Sequence, residues 1–208
     1  MTSSPQHWDY IFSTTRDEEL GWYEENAGAG LNLLKRIPGL ENSTVFISGN
    51  GTSRLTEVLL SENCQLTVND ISQLAIDRLI LRLGTKASKL NYLCQDISHR
   101  LPAHQPRCRI WIDRAVLHFL LEDHEIDSYF QNLCQVVEPG GFALFAEFAI
   151  HGAPRCAGLD VHRYSSSELR QRLGGEFELL EEQNHTHITP SGSERPYVCA
   201  LFRRTGQA

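Results

Sequence analysis

The apolar run Val45-Phe46-Ile47-Ser48 leads into Gly49-Asn50-Gly51-Thr52-Ser53, and a second run, Leu66-Thr67-Val68-Asn69, ends on Asp70, nineteen positions after Gly51. Glycines one residue apart let the backbone turn where side chains would obstruct it. Thr52-Ser53 opens a predicted helix over 53–61, with Leu55, Val58, Leu59 and Leu60 on its inner side. Strand, glycine turn, helix and strand make a βαβ unit. In such a unit the turn and the acid closing the second strand lie side by side at the carboxyl ends of parallel strands. A nucleoside can lie across the turn while Asp70 accepts hydrogen bonds from both ribose hydroxyls.

Phosphate-binding readings fail on detail. A dinucleotide fingerprint needs a third glycine where this chain has Arg54, so the helix could not approach the strand or receive a pyrophosphate. A phosphate-cradling loop would end Gly-Lys-Ser/Thr, which is absent. A glycine pair without the third glycine suits a nucleoside that carries no phosphate, such as S-adenosylmethionine (SAM).

Alternation continues downstream. Apolar residues at helical spacing over 72–83 follow Ser72 as N-cap and stop at Gly84. Leu90–Cys94 reads as a strand before Gln95-Asp96, and Arg109–Ile112 as another running into Asp113. A helix is expected over 122–137, then a turn at Pro139-Gly140-Gly141 and the strand Phe142–Ala146. Residues 150–164 read as loop and 166–173 as helix. Two further strands, 176–183 and 196–203, flank a loop holding His185 and His187. The pattern predicts an α/β fold: a doubly wound, Rossmann-like, mainly parallel sheet with helices on both faces and a C-terminal antiparallel β-hairpin. Residues 1–40 read as an N-terminal lid or helical segment, and 41–208 as the cofactor-binding domain, within one globular unit.

A net charge of -7 with scattered Lys and Arg argues against nucleic acid, which draws on clustered cations. No apolar run approaches membrane-spanning length, and Met1–Trp8 lacks signal-peptide character. A cytoplasmic protein is expected. Six cysteines without paired or zinc-type spacing read as reduced thiols, four of them (Cys64, Cys94, Cys134, Cys199) in or beside apolar runs.

Together these segments resemble the class I SAM-dependent methyltransferases. Gly49-Asn50-Gly51-Thr52-Ser53 resembles their first motif and Asn69-Asp70-Ile71-Ser72 their second. Gln95-Asp96-Ile97 is similar to the third, whose acid meets the adenine amino group. Trp111-Ile112-Asp113-Arg114-Ala115 resembles the fourth, which faces the transfer site. Pro139-Gly140-Gly141 is similar to the turn before the fifth strand. The resemblance implies SAM as cofactor, S-adenosylhomocysteine (SAH) as product, and cofactor contacts from Trp22, Tyr23, Gly49, Asn50, Gly51, Ser53, Asp70, Ile71, Asp96, Ile97 and Asp113. Trp111–Ala115 also resembles the fourth motif of thiopurine-type enzymes. One departure is Ile47, where the family carries an acid that helps hold the methionine end. Asp17, Glu18, Glu19, Glu24 and Glu25 are candidates to replace it.

Methyl transfer from a sulfonium needs alignment and exclusion of water more than a dedicated base. Asp113, Arg114 and Glu147 are the catalytic candidates. Asp113 could receive a proton or cap the next turn; Arg114 could steer an anionic acceptor or pair with a strand-end acid. Glu147 is expected to face the acceptor, with a structural salt bridge as its alternative. His118, among apolar neighbours, reads as a satisfied core histidine. Trp8, Phe12, Trp22 and Tyr23 could form an aromatic lid near the sulfonium. Cys156, His162, His185 and His187, with Arg155 and Arg163, could converge on a soft acceptor, although no metal is expected. A small-molecule acceptor with an S, Se or N nucleophile is the leading expectation. A protein lysine substrate and a non-catalytic binding module are the alternatives.

Overall fold

The computed structural model describes residues 3–25 and 28–206. Five parallel strands run from one edge of a seven-stranded sheet: β1 (Thr44–Ser48), β2 (Gln65–Asp70), β3 (Leu90–Cys94), β4 (Cys108–Arg114) and β5 (Val137–Phe148). Two antiparallel strands close it, β8 (Phe177–Ile188) and β9 (Glu194–Arg204), in the order β3-β2-β1-β4-β5-β9-β8. A small separate hairpin, β6 (Arg155–Cys156) with β7 (Leu159–Asp160), lies in the segment expected to be loop. The strand order reverses between β1 and β4, and ligands of open α/β sheets bind at such a switch point.

Alternation along the strands assigns the two faces. Val45, Ile47, Ile110, Ile112, Leu144 and Phe148 pack into one layer with Leu33 and Leu34 of α2 (Gly28–Leu34), Leu59 of α3 (Leu55–Ser61) and Leu79 of α4 (Gln73–Leu83). Phe46, Trp111, Ala143 and Phe145 enter the opposite layer with Tyr129 and Leu133 of α5 (Asp123–Val136) and Leu169 of α6 (Ser166–Leu173). This is the period of two that a pleated strand imposes. At the centre of the second layer Trp111 is wholly buried, stacked on Phe46 at 4.4 Å between centroids, and its Nε1 donates to Tyr129 Oη at 2.8 Å.

The helix at 53–61 starts two residues later than expected, at Leu55, while α4 keeps its Ser72 cap, whose Oγ accepts from Ala75 N at 3.1 Å. Pro139-Gly140-Gly141 lies inside β5 as a bulge, with Cys108 opposite Val137 and Ile110 opposite Phe142. The terminal strands run longer than predicted, because polar residues on the open face of β8 do not interrupt ladder pairing. His185 and His187 therefore sit on β8, paired with Tyr197 and Arg195. The first helix, α1 (Pro5–Thr14), is capped by Ser4 and packs on α4.

Trp111→Ala should cost about 3–5 kcal/mol and lower the thermal midpoint by on the order of 10 °C. Thermal unfolding followed by circular dichroism reads this directly; an unchanged midpoint would contradict the packing described.

Candidate active site

A cleft of roughly 940 Å³, counting its mouth, opens over the carboxyl ends of β1, β2 and β4. Its floor begins at the glycine turn. Gly49 has φ +55° and a Cβ there would lie 2.1 Å from Val116 Cγ2, so no other residue fits without displacing that wall. Gly51 has φ +51°, and a Cβ would meet Phe12 Cζ at 3.4 Å and Trp22 Nε1 at 4.0 Å. The missing side chain thus leaves the space between turn and roof. Asn50 was expected to touch cofactor. It lines the cleft, and its side chain braces the turn, donating to Gly51 O and accepting from Thr56 Oγ1 at 2.6 Å.

Asp70 closes β2. Its carboxylate accepts Gly51 N at 2.7 Å and Ser72 N at 2.9 Å. Burial pushes its pKa up to about 6, against the pull of those amides. Asn69 Nδ2 bridges to Leu93 O and Gln95 O, fixing the adjoining end of β3. Asp96 turns its own loop by accepting Ser98 N at 2.9 Å, and it lines the cleft with Ile71 and Ile97. Ser53 lines the cleft too, while its carbonyl and that of Thr52 are gripped by Arg82 from α4 at 2.8 Å each. Arg82 also pairs with Glu57 at 2.7 Å and Asp17 at 3.5 Å, tying the turn to the N-terminal segment. Sequence reading missed Arg82. Its signal would have been an arginine at the end of a helix that flanks a glycine turn.

The roof is aromatic. Trp8 lies 4.8 Å from Phe119 and 5.7 Å from Trp22, ring centroid to centroid, and Phe12 lies 6.3 Å from Trp22. Leu159 and Ala157 of the β6–β7 hairpin pack against this group, and Cys156 beside them lines the cleft. Tyr23 does not line the cleft; it packs with the aromatic group behind it. Asp9 holds α1 down by accepting Ser72 Oγ at 2.5 Å.

The three catalytic candidates separate. Arg114 lines the cleft, yet its guanidinium is engaged, donating to Trp22 O at 2.7 Å and pairing with Glu24 at 3.0 Å. Asp113 and Glu147 are fully buried below the cleft and do not line it. Their parity explains this. Asp113 follows Trp111, and Glu147 follows Phe145, into the α5–α6 layer, whereas Arg114 follows Ile112 toward the roof side. His118 is also buried, its Nδ1 2.7 Å from Glu147 Oε2, but its Nε2 has no partner, so it is only half satisfied.

Asp17, Glu18, Glu19, Glu24 and Glu25, the candidates to replace the acid absent at Ile47, do not line the cleft. Asp17 meets Arg78 at 3.0 Å and Arg82. Glu19 pairs with Arg16. Glu24 faces Arg114, His187 Nδ1 at 3.5 Å and His185 Nε2 at 4.0 Å; burial alone would raise its pKa, but the hydrogen bond from His187 and the charge of Arg114 hold it low. The Cys156 and histidine group does not assemble: His162 pairs with Glu168 at 2.7 Å, Arg155 with Asp160 at 3.1 Å, and the histidines of β8 with Glu24. Among the described residues no group of three or more His, Cys, Asp or Glu could hold a metal. All six cysteines are free, and Cys94, expected in the core, is exposed.

The donor set fits a phosphate-free nucleoside. A glycine cradle, a strand-end carboxylate beside it and a second acid at the β3 end are all in place. Residues 45–141, a little under half of the chain, match the family described as a methyltransferase domain. Over those residues the chain is similar to a methyltransferase domain, and the donor set of the cleft fits SAM as the nucleoside.

Solved structures agree in fold. A protein described under conversion of a disulfide bond into a thioacetal group during echinomycin biosynthesis superposes with a TM-score of 0.76 at 17% identity, over 98% of this chain and 94% of its own. The N-methyltransferase NodS from Bradyrhizobium japonicum WM9, in complex with SAH, gives 0.71 at 16% identity over 97% and 98%. The 1,6-didemethyltoxoflavin-N1-methyltransferase of Burkholderia thailandensis, with bound 1,6-didemethyltoxoflavin and SAH, gives 0.71 at 18% over 99% and 92%. At such identities the likeness shows the fold alone. The likeness of Trp111–Ala115 to thiopurine-type enzymes gains no support from these matches. No curated protein sequence matches this chain.

Unliganded Asp70 keeps a proton between its ordinary 3.8 and about 6, so the empty fold loses stability as pH rises through that window. Ribose hydroxyls donate to the carboxylate and favour its ionised form. SAH affinity measured by calorimetry should therefore fall as pH drops through about 6. Asp70→Asn should weaken binding about 10- to 100-fold at pH 8; an affinity that ignores this substitution would remove Asp70 from the site.

Proposed function

We propose that this methyltransferase transfers the SAM methyl group to a small, largely apolar molecule through a sulfur, selenium or unprotonated nitrogen nucleophile. The observation that carries the reading is the far end of the cleft. Trp8, Trp22, Val116, Phe119 and Leu120 wall it, with Cys156, the paired Arg114 and Ser3, whose Oγ accepts Trp8 Nε1, as its polar groups. Neither a histidine, a lysine nor an unpaired carboxylate lines that end among the described residues. An acceptor needing its proton removed by the protein would find no base there. A nucleophile that is already electron-rich needs only alignment and a dry site.

In this reading the residues work by binding and exclusion. Asp70 and Asp96 receive the nucleoside end, and the Gly49–Gly51 turn lets it approach the backbone. When bound, SAM supplies an electrophilic methyl on a sulfonium. The faces of Trp8 and Trp22 stabilise positive charge nearby by cation–π attraction. The α1 roof and the β6–β7 hairpin keep water from the reacting atoms. Residues 3–25 thereby act as a lid, and the small heterocycle bound to the Burkholderia neighbour is the kind of acceptor such a chamber fits. The six free cysteines suit a reducing, cytoplasmic setting.

Labelled SAM offered separately to aryl thiols, selenols, heteroaromatic amines and basic proteins should methylate a small acceptor and leave the proteins unlabelled. The rate on a thiol should rise with pH toward the thiol's own pKa, because the thiolate is the nucleophile. Labelled lysine in a basic protein, with small molecules untouched, would replace this reading by the protein-substrate one. SAH bound with no transfer to any pool would favour a binding module.

A further inference from the structure

Two carboxyls that the cleft does not use lie side by side beneath it. Asp113 Oδ1 accepts Val116 N at 3.1 Å and Leu117 N at 3.4 Å, and Oδ2 accepts Tyr129 Oη at 2.6 Å. Tyr129 can only donate to Asp113, because Trp111 Nε1, which cannot accept, already donates to its oxygen. Glu147 Oε2 accepts His118 N at 3.2 Å and faces His118 Nδ1 at 2.7 Å, while its buried Oε1 has no donor. Burial, then the adjacent Glu147, raises the Asp113 pKa well above its ordinary value, which favours a neutral carboxyl able to donate to Glu147. The groups facing this pair are His118 in the turn after β4, Tyr129 on α5 and Tyr164 before α6.

All three amides these acids hold belong to one turn, residues 116–118. That turn carries Val116, which abuts Gly49, and leads to Phe119, on which Trp8 of the lid packs. We propose that Asp113 and Glu147 form a single acid pair whose shared proton positions the Val116–Phe119 turn, and through it the cofactor cradle and lid, without either carboxyl touching SAM. They are positioning residues for the transfer.

The chemistry separates this role from a catalytic one. Because Asp113 works in its neutral form, Asn reproduces its amide acceptor and its donor to Glu147 but not its acceptor for Tyr129 Oη, so the comparison is made with Tyr129→Phe in both proteins. Glu147 works as an anion, with a pKa near 7 set by burial and offset by Asp113 and the turn amides. As pH falls through about 7 it takes up a proton and loosens its hold on His118 N.

The test is SAH binding by calorimetry from pH 5.5 to 8.5, with the fold of each variant checked by near-ultraviolet circular dichroism. In a Tyr129→Phe background, Asp113→Asn should bind within about threefold of Tyr129→Phe alone, whereas Asp113→Leu should lose about tenfold or more. Glu147→Gln should weaken SAH about tenfold at pH 8 and abolish the limb near pH 7, leaving the Asp70 limb near 6. Loss of binding in folded Asp113→Asn/Tyr129→Phe, relative to Tyr129→Phe, would show that the charged carboxylate is needed and overturn the proposal. A Glu147→Gln profile that superimposes on wild type would do the same. Should the variants fail to fold, the wild-type profile decides. After correction for the ligand's own ionisation, its slope should approach two protons below pH 6, and a slope of one rejects the pair.

Discussion

An open cleft at the end of a parallel sheet leaves backbone amides at each strand exit without ladder partners, and in this protein acids take them. Asp70 receives Gly51 N and Ser72 N, Asp96 receives Ser98 N, Asp113 receives Val116 N and Leu117 N, and Glu147 receives His118 N. A buried amide without an acceptor is costly, so each turn is fixed by the carboxylate below it. The cleft keeps its shape without filling its volume. The same arrangement gathers negative charge at one sheet edge, and burial answers by raising the pKa values of the deepest members.

These acids divide by depth. Asp70 and Asp96 reach the cleft and are placed for ligand, while Asp113 and Glu147 stay beneath and act on the wall. Charge on the roof side is settled separately, by Arg114 against Glu24 and by Arg82 against Glu57 and Asp17. The far end of the chamber is consequently apolar although the protein carries a net charge of -7. That end presents aromatic faces.

Much of this was legible in the residues. The βαβ unit, the Ser72 cap, β3 over Leu90–Cys94 and α6 over Ser166–Leu173 follow from local periodicity and capping. The hairpin over Arg155–Asp160 was not foreseen, because its strands are two residues long and its turn uses Ala157 at φ +49° before Gly158. Nor was the parity of Asp113 and Glu147 used. Counting outward from Trp111 and Phe145 in steps of two places both acids away from the lid. The histidines of β8 were drawn toward Cys156 by sequence alone, and only the length of the terminal strands shows that they belong to Glu24. Long-range pairings such as Arg82 with Thr52 and Ser53 carry no local signature.

Arg82 gives the N-terminal segment a stake in the state of the glycine turn. One guanidinium holds the carbonyls of Thr52 and Ser53 and reaches Asp17, while Arg78 beside it binds Thr15 O and Asp17. Whatever orders the turn also orders the strap, and by reciprocity whatever frees the strap loosens the turn. Occupancy of the cleft is thereby written into the protease resistance of a stretch of chain that contributes no acid to the nucleoside.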